Sequence, residues 1–492
     1  MNNETKTSKA SVISNFFWRF FERCGAQAVS IIVSIILARI LTPSIYGTVA
    51  LVTVFTAIMQ VFVDSGMGSA LIQKKNADDL DFSTVFYFNL IMSILLYICM
   101  YFLAPFIADF YKIPELTPVI RVLSLTLIVA GARNIQQAYI SKHLIFKKFF
   151  FATLTGTILA AIIGIWMAYN NYGVWALVAQ SLTNVIIGTV ILWFTVKWRP
   201  KWLFSFERLK ILFSFGWKLL VSALLDTVYR DLRSLIIGKI YTKEDLAFYN
   251  RGEVFPKTIV NNINSSIDSV LFPTMSKAQD NPEEIKAMTR KSISISSFII
   301  IPSMVGLAAC AEPIIKLILT EKWIESVFFL RIFCFTYAFW PIHTSNLNAI
   351  KAMGRSDLFL KLEIAKKIVA LIALLSTVFI SVKAMAYSLL FTSIASQIIN
   401  SWPNKQLLNY SYIDQLKDIM PSLLLSSLMG AAVYYLNYFE FNLTLLLSTQ
   451  IVLGILIYFI GSILFKLEPY IYISNSVKSY INKKKSKMEV TE

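Results

Sequence analysis

Cysteine and histidine are scarce in this chain, with four of the first and two of the second among 492 residues. Cys24, Cys99, Cys310 and Cys334 each lie in an apolar stretch, far apart and without a CxxC or Cys/His spacing. Free thiols are therefore expected, with neither a disulfide framework nor a metal site. His143 and His343 form no HExxH motif, which argues against metal-dependent hydrolysis. No GxxxxGK[ST] stretch occurs, so an ATP-driven pump within this chain is not expected. Charge is also thin, at 15% of residues. The acidic cluster Asp78, Asp79 and Asp81 sits in a loop too short to fold around a nucleotide, and it reads as a solvated loop. No catalytic residue and no cofactor is expected.

Apolar residues abound instead: they make up 56% of the chain, and the mean hydropathy is +0.63. That composition belongs to an integral membrane protein. The first apolar segment, running on from Asn15, lacks the short core and small-residue cleavage site of a signal peptide and is expected to be a span. About 20 apolar residues cross ~30 Å of hydrocarbon, and the chain divides into fourteen such segments, from Asn15–Leu41 to Leu443–Leu464. The expected fold is an all-α integral membrane protein of about 14 transmembrane helices, arranged as two six-helix lobes of like orientation plus two C-terminal helices. Its divisions are an N-terminal lobe at 1–200, an interfacial linker at 201–213, a C-terminal lobe at 214–404, helices 13 and 14 at 405–465, and a tail at 466–492. KWLFSFERLK, Lys201 to Lys210, reads as an interfacial helix between the lobes.

The net charge of +17 follows the membrane. One set of loops holds most of the lysine and arginine, including Lys74, Lys75, Lys147, Lys148, Arg199, Arg208, Arg290, Lys291 and Arg355. The opposite set holds fewer, among them Arg39, Lys112, Lys239, Lys316 and Lys383. Positive loops stay on the cytoplasmic side, so both termini are expected in the cytoplasm. The lysine tail Lys483, Lys484, Lys485 and Lys487 agrees with this and suits contact with membrane lipids; no nucleic-acid partner is expected.

An internal repeat organises the chain. Ile36 to Thr42 (ILARILT), followed by Val54-Phe55, aligns without a gap on Ile236 to Thr242 (IIGKIYT), followed by Val254-Phe255. Arg121-Val-Leu is echoed by Arg331-Ile-Phe. Six spans separate the copies, so the halves share one orientation. By analogy of fold, two such bundles suit alternating access.

The seventh and eighth spans, Ser214–Gly238 and Asp245–Phe272, carry an unusual load of polar residues. On a helix, Asn250, Lys257, Asn261, Asn264 and Asp268 fall within about 60° of one another along ~27 Å. Arg251 and Glu253 lie on the same span, and Pro256 interrupts it. Asp226, Arg230 and Arg233 share a face of the seventh span, where Asp226 and Arg230 are spaced to pair at i,i+4. The first span has Arg19, Arg23 and Gln27 on one stripe. The second is nearly bare, with Asp64 standing where the repeat has Asn264. Ionisable groups in hydrocarbon are functional candidates by default, whereas amides between membrane helices also act as packing glue worth ~0.6 kcal/mol. Gly156, Ala160 and Gly164 form a small-residue ridge for helix packing, and His343 is expected to be a hydrogen-bonded core residue.

SIILARILTPSIYGTVALVTVF from Ser34, VDSGMGSALIQKK from Val63, FYNRGEVFPKTIVNNINSSIDSVLFPTMSK from Phe248 and TEKWIESVFFLRIFCFTYAFWPIHT from Thr320 resemble the Wzx-type polysaccharide flippases. These are members of the multidrug/oligosaccharidyl-lipid/polysaccharide exporter superfamily, and the resemblance covers nearly the whole chain. It implies flipping of an undecaprenyl-pyrophosphate-linked oligosaccharide across the bacterial inner membrane, for surface polysaccharide such as lipopolysaccharide, O-antigen or exopolysaccharide. On that reading Arg19, Arg23, Arg230 and Arg233 serve the pyrophosphate, since arginine matches phosphate geometry, and Arg251 is a further substrate-binding residue. Asn250, Asn261, Asn264 and Asp268 serve the sugars, and Asp226, Asp64 and Glu253 are the candidates for coupling to a proton or sodium counter-ion. A polysaccharide polymerase is an expected partner. Two other readings stand beside it: a cation-coupled multidrug exporter of the same superfamily, and a membrane scaffold of a polysaccharide assembly complex that transports nothing.

Overall fold

The computed structural model describes residues 25–478, apart from 26, 65, 75, 144, 476 and 477. Hydrocarbon offers no partner for backbone N–H and C=O groups, so a chain of this composition closes its hydrogen bonds within helices. In the first half these are α1 (Gln27–Ile40), α2 (Pro43–Asp64), α3 (Met67–Gln73), α4 (Asp79–Tyr111), α5 (Leu116–Leu123), α6 (Leu125–His143), α7 (Phe146–Tyr169), α8 (Val174–Thr195) and α9 (Phe206–Ile240). The second half holds α10 (Lys243–Lys277), α11 (Pro282–Ala309), α12 (Ala311–Ile314), α13 (Ser326–Ala338), α14 (Trp340–Ala352), α15 (Ser356–Thr377), α16 (Val382–Leu408), α17 (Tyr412–Tyr435) and α18 (Leu443–Leu464).

Among the described residues ten helical stretches are long and apolar enough to cross a membrane, or eleven if α9, bent by 49°, is one span. The expected count is fourteen. The difference lies in α1, described only from Gln27, and in α10 and α15, which are too polar to count as apolar spans. Large apolar side chains such as Phe106, Phe194, Ile162, Leu375 and Leu464 point outward, as lipid-facing surfaces require. The chain is a multi-pass membrane protein.

The repeat is visible in the elements themselves. α1 ends at Ile40 and α2 opens at Pro43, while α9 ends at Ile240 and α10 opens at Lys243, an offset of 200 at both points. Arg121 donates from Nε to the Tyr101 carbonyl at 3.2 Å, and Arg331 does the same to Ala308 at 3.4 Å. Asp78 caps α4 by accepting the Asp81 N–H, as Asn281 caps α11 by accepting that of Glu284.

The chain divides into two compact units, 1–247 and 248–492. In the first, Met67, Phe82, Phe86, Leu192 and Trp198 form the main apolar cluster. The small-residue ridge is where α7 meets α8: a Cβ on Gly164 would lie 2.9 Å from the Gln180 Cβ. The seventh span, assigned to the C-terminal lobe by sequence, packs as α9 against α2, α3 and α4. Gly238 admits the Leu51 side chain, and the Tyr111 hydroxyl donates to the Leu235 carbonyl at 3.3 Å.

The expected interfacial helix at Lys201–Lys210 is helical only from Phe206 onward. The stretch before it is not helical; its Lys201 and Ser205 N–H groups donate to the Ser83 and Thr84 hydroxyls of α4. Nor is the acidic loop simply solvated. Asp81 is fully buried, 2.6 Å from Lys74 and 3.6 Å from Arg208, while Asp79 takes Lys201 at 2.6 Å and the Trp198 indole N–H at 3.2 Å. The cluster is an ionic clasp that ties the start of α4 to the chain entering α9.

In the second unit α11 packs against α13, α14 and α17. Met275, Ile293, Ile301, Ile342 and Ile419 make its apolar cluster. Threaded through it is a polar knot: Asn346 and Gln415 exchange side-chain hydrogen bonds at 2.8 and 3.0 Å, joined by Ser401 and Asn404. His343 Nδ1 lies 2.9 Å from the Asn400 amide, a hydrogen-bonded core residue.

Candidate functional site

Thr242 and Asp245 open α10 by exchanging hydrogen bonds with each other's backbone and side chain. The polar series then runs down the helix. Arg251 is buried with its guanidinium 5.0 Å over the ring of the fully buried Trp323. One residue on, a Cβ at Gly252 would lie 2.6 Å from the Phe329 Cβ, so α10 and α13 pack closely there. Glu253 accepts the Tyr337 hydroxyl at 2.8 Å and pairs with Lys257 at 3.2 Å. Below Pro256, Asn261 is exposed and Asn264 is buried, with neither its amide nitrogen nor its oxygen hydrogen-bonded. Asp268 accepts the Asn348 amide at 2.6 Å. The series is thus divided: Glu253 is tied to Tyr337 of α13 and Asp268 to Asn348 of α14, while Asn250, Lys257, Asn261 and Asp268 keep some or full exposure.

On α9 Asp226 and Arg230 are exposed and Arg233 is buried. Arg230 forms an ion pair with its chain neighbour Asp231 at 3.6 Å. The sequence spacing suggested Asp226 for that role. Arg19 and Arg23 lie outside the described residues.

Asp64, at the end of α2, accepts two side-chain amides on one oxygen, from Gln60 at 2.9 Å and Asn134 at 2.6 Å. It borders a cavity of about 410 Å³ within the first unit, whose polar lining includes Ser69, Asn134, Gln137 and Ser141. A carboxylate at the edge of a polar cavity, met on one oxygen by amide N–H donors and with its other oxygen left over, is a candidate to hold a proton or a small cation.

Several groups escaped the sequence reading. Asn134, Tyr337 and Asn348 are the partners of Asp64, Glu253 and Asp268, and only the fold pairs them. Arg133, on α6, lies 5.8 Å from the Phe149 ring; it was visible as an arginine within an apolar span, beside the amides of Asn134, Gln136 and Gln137. Likewise α15 carries Lys361, Glu363, Lys366 and Lys367, with Lys366 and Glu363 paired at 2.5 Å.

The sequence profile of the polysaccharide biosynthesis protein family matches residues 36–328, and the chain belongs to that family. It is 24% identical to the teichuronic acid biosynthesis protein TuaB of Bacillus subtilis (strain 168), over 82% of this chain and 85% of the relative. It is 23% identical to the lipopolysaccharide biosynthesis protein WzxC of Escherichia coli (strain K12), over 67% of this chain and 68% of that one. Among solved structures, the lipid II flippase MurJ in an inward closed conformation superposes with a TM-score of 0.76 at 16% identity, over 92% of this chain and 98% of MurJ. A multidrug resistance MATE family transporter of the MOP superfamily, inward-facing, gives 0.62 at 15% identity, over 78% and 94%. The fold is of the MurJ and MATE kind, and these likenesses fit the superfamily that the sequence motifs resemble.

Proposed function

We propose that the chain flips an undecaprenyl-pyrophosphate-linked oligosaccharide across the cytoplasmic membrane by alternating access, in the service of surface polysaccharide biosynthesis. The observation that carries this reading is the placement of Arg230 and Arg233 on α9, in a membrane protein that belongs to a polysaccharide biosynthesis family. A charged, hydroxyl-rich headgroup cannot cross hydrocarbon unaided, whereas its prenyl tail can remain in lipid. Arginine is the side chain best matched to a pyrophosphate. In this proposal Arg19, Arg23, Arg230 and Arg233 hold the pyrophosphate, and Asn250, Asn261, Asn264 and Asp268 meet sugar hydroxyls. Arg251, stacked over Trp323, positions α10. The protein acts as a transporter and not as an enzyme.

The same reading takes α1, α10 and α15 as true crossings, which makes fourteen helices in two six-helix lobes of like orientation plus α17 and α18, with both termini cytoplasmic. An uphill cycle requires a coupled proton or sodium ion. Asp64 is its foremost candidate because it sits at a polar cavity; Asp226 and Glu253 follow. A polysaccharide polymerase is the proposed downstream partner. The Asp64 site also favours a second reading, a cation-coupled multidrug exporter of the same fold.

The test is the double charge reversal Arg230→Glu and Arg233→Glu, with membrane insertion verified. Complementation by this variant should yield no surface polysaccharide. Normal polysaccharide would sink the pyrophosphate assignment. Purified protein in liposomes should move a prenyl-linked sugar to the opposite leaflet and leave cationic drugs in place. Drug movement alone would favour the exporter, and movement of neither, with or without an ion gradient, would favour the scaffold.

A further inference from the structure

One cavity of the second unit takes no part in the polar series described above. It is a groove of about 780 Å³ between α11, α17 and the segment that follows α18. Its polarity is that of a lipid. Most of its length is walled by Met420, Leu424, Leu428 and Phe465, which are exposed. The charged side chains gather at one end: Arg290, Lys417, Asp418, Lys466 and Glu468.

Two of those charges cancel. Asp418 takes the Arg290 guanidinium at 2.8 to 3.0 Å and the Tyr410 hydroxyl at 2.7 Å. Lys417 and Lys466 remain against Glu468, and a smaller adjoining cavity of about 270 Å³ adds Lys291 to the same end. The balance at the mouth is positive. From Lys417 to Leu428 the groove follows α17 over ~16 Å, at about 1.5 Å of rise per residue. That is about half of a ~30 Å hydrocarbon core, the depth of one leaflet. A prenyl chain of eleven isoprene units is far longer than such a groove, whereas an acyl chain of ordinary length fits it.

We infer that this groove binds one anionic glycerophospholipid of the bilayer, with its phosphate at Lys417 and Lys466 and an acyl chain along α17. Basic residues near a membrane surface attract acidic lipid, each with modest energy, and the apolar wall supplies the rest of the affinity. Lys417 and Lys466 lie outside both copies of the internal repeat, so they can be altered without touching the polar series on α9 and α10.

Native mass spectrometry of the full-length protein in detergent tests this, with phosphatidylglycerol, phosphatidylcholine or undecaprenyl phosphate added at equal concentration. Phosphatidylglycerol should be retained about tenfold better than phosphatidylcholine, a difference of ~1.4 kcal/mol, and better than undecaprenyl phosphate. The double variant Lys417→Gln and Lys466→Gln should erase the preference. Leu428→Trp, which fills the apolar wall and leaves the charges in place, should lower retention of both phospholipids; it keeps the test decisive if the lysine variant fails to fold. Equal retention of the two phospholipids by the unaltered protein would overturn the inference. So would undiminished preference in the lysine variant, or stronger retention of undecaprenyl phosphate, which would assign the groove to the substrate tail.

Discussion

The side-chain amide of Asn348 donates to the carboxylate of Asp268 at 2.6 Å, joining α14 to α10. Asn348 is buried, and it is the hydrogen-bond partner that this carboxylate finds on another helix. Replacing Asn348 by Leu removes the donor but leaves an acceptor that solvent reaches, since Asp268 is exposed, so the cost is that of one hydrogen bond, about 0.5–1.5 kcal/mol. Thermal unfolding of the detergent-solubilised variant measures it. Asp268→Asn should be milder, because its amide oxygen can still accept from Asn348. An unchanged melting temperature for Asn348→Leu would mean that the pair contributes nothing.

Gly47 lies where α2 meets the start of α10. A Cβ at this position would come within 2.0 Å of the Lys243 carbonyl oxygen, a backbone atom that cannot swing aside. Gly47→Ala should therefore destabilise the protein by about 1–3 kcal/mol. Gly354→Ala is a useful comparison, since nothing lies near its added Cβ. Its cost comes only from a left-handed φ of 72°. Equal, small effects of both variants would refute the close approach at Gly47.

The ionic clasp makes a prediction about acid. Accepting the Asp81 N–H, above all, holds the Asp78 carboxyl below its ordinary value, and Arg208 and Lys74 add to the effect. A carboxylate with a depressed folded pKa contributes its stability in full above its unfolded value, near 4, and loses it as pH falls through the folded value. Asp78→Asn should thus leave stability at pH 7 lower and flatten its decline below about pH 4. Asp81→Asn should cost about 2–3 kcal/mol at neutral pH, somewhat less than a fully buried pair because Lys74 and Arg208 keep contact with solvent. Denaturation followed from pH 7 to pH 3 separates the two effects. Parallel curves for Asp78→Asn and the unaltered protein would remove Asp78 from the clasp.

In the amide knot of the second unit, Asn346 serves Gln415, Ser401 and Asn404 together. Its removal strands several buried polar groups, so Asn346→Leu should cost more than Gln415→Ala, by roughly 1–3 kcal/mol. The double variant should fall short of the sum, because the two side chains share their bonds. Strict additivity would show that they act independently.

Much of the candidate site was legible because it breaks a rule of composition. Arg230, Arg233, Glu253 and Asp268 stand out as ions in apolar stretches, and the repeat at an offset of 200 reappears in the bounds of α1, α2, α9 and α10. Arg133 and the lysines of α15 obey the same rule and went unnoticed. Partners were not legible. Tyr337 lies 84 residues from Glu253, and Asn348 lies 80 from Asp268; helical periodicity fixes a face but not the neighbour it meets.

By itself, then, the sequence determined a helical, multi-pass membrane protein with a duplicated plan, because hydrophobic length and period depend only on neighbours along the chain. Tertiary structure alone decided which ions are solvent-facing and which are held. It turned the acidic loop at Asp78–Asp81 into a clasp, drew Arg251 over Trp323, and packed α9 against α2 through Gly238. Each of these depends on the close approach of residues distant in the chain, where a missing side chain or a single buried charge outweighs local preference.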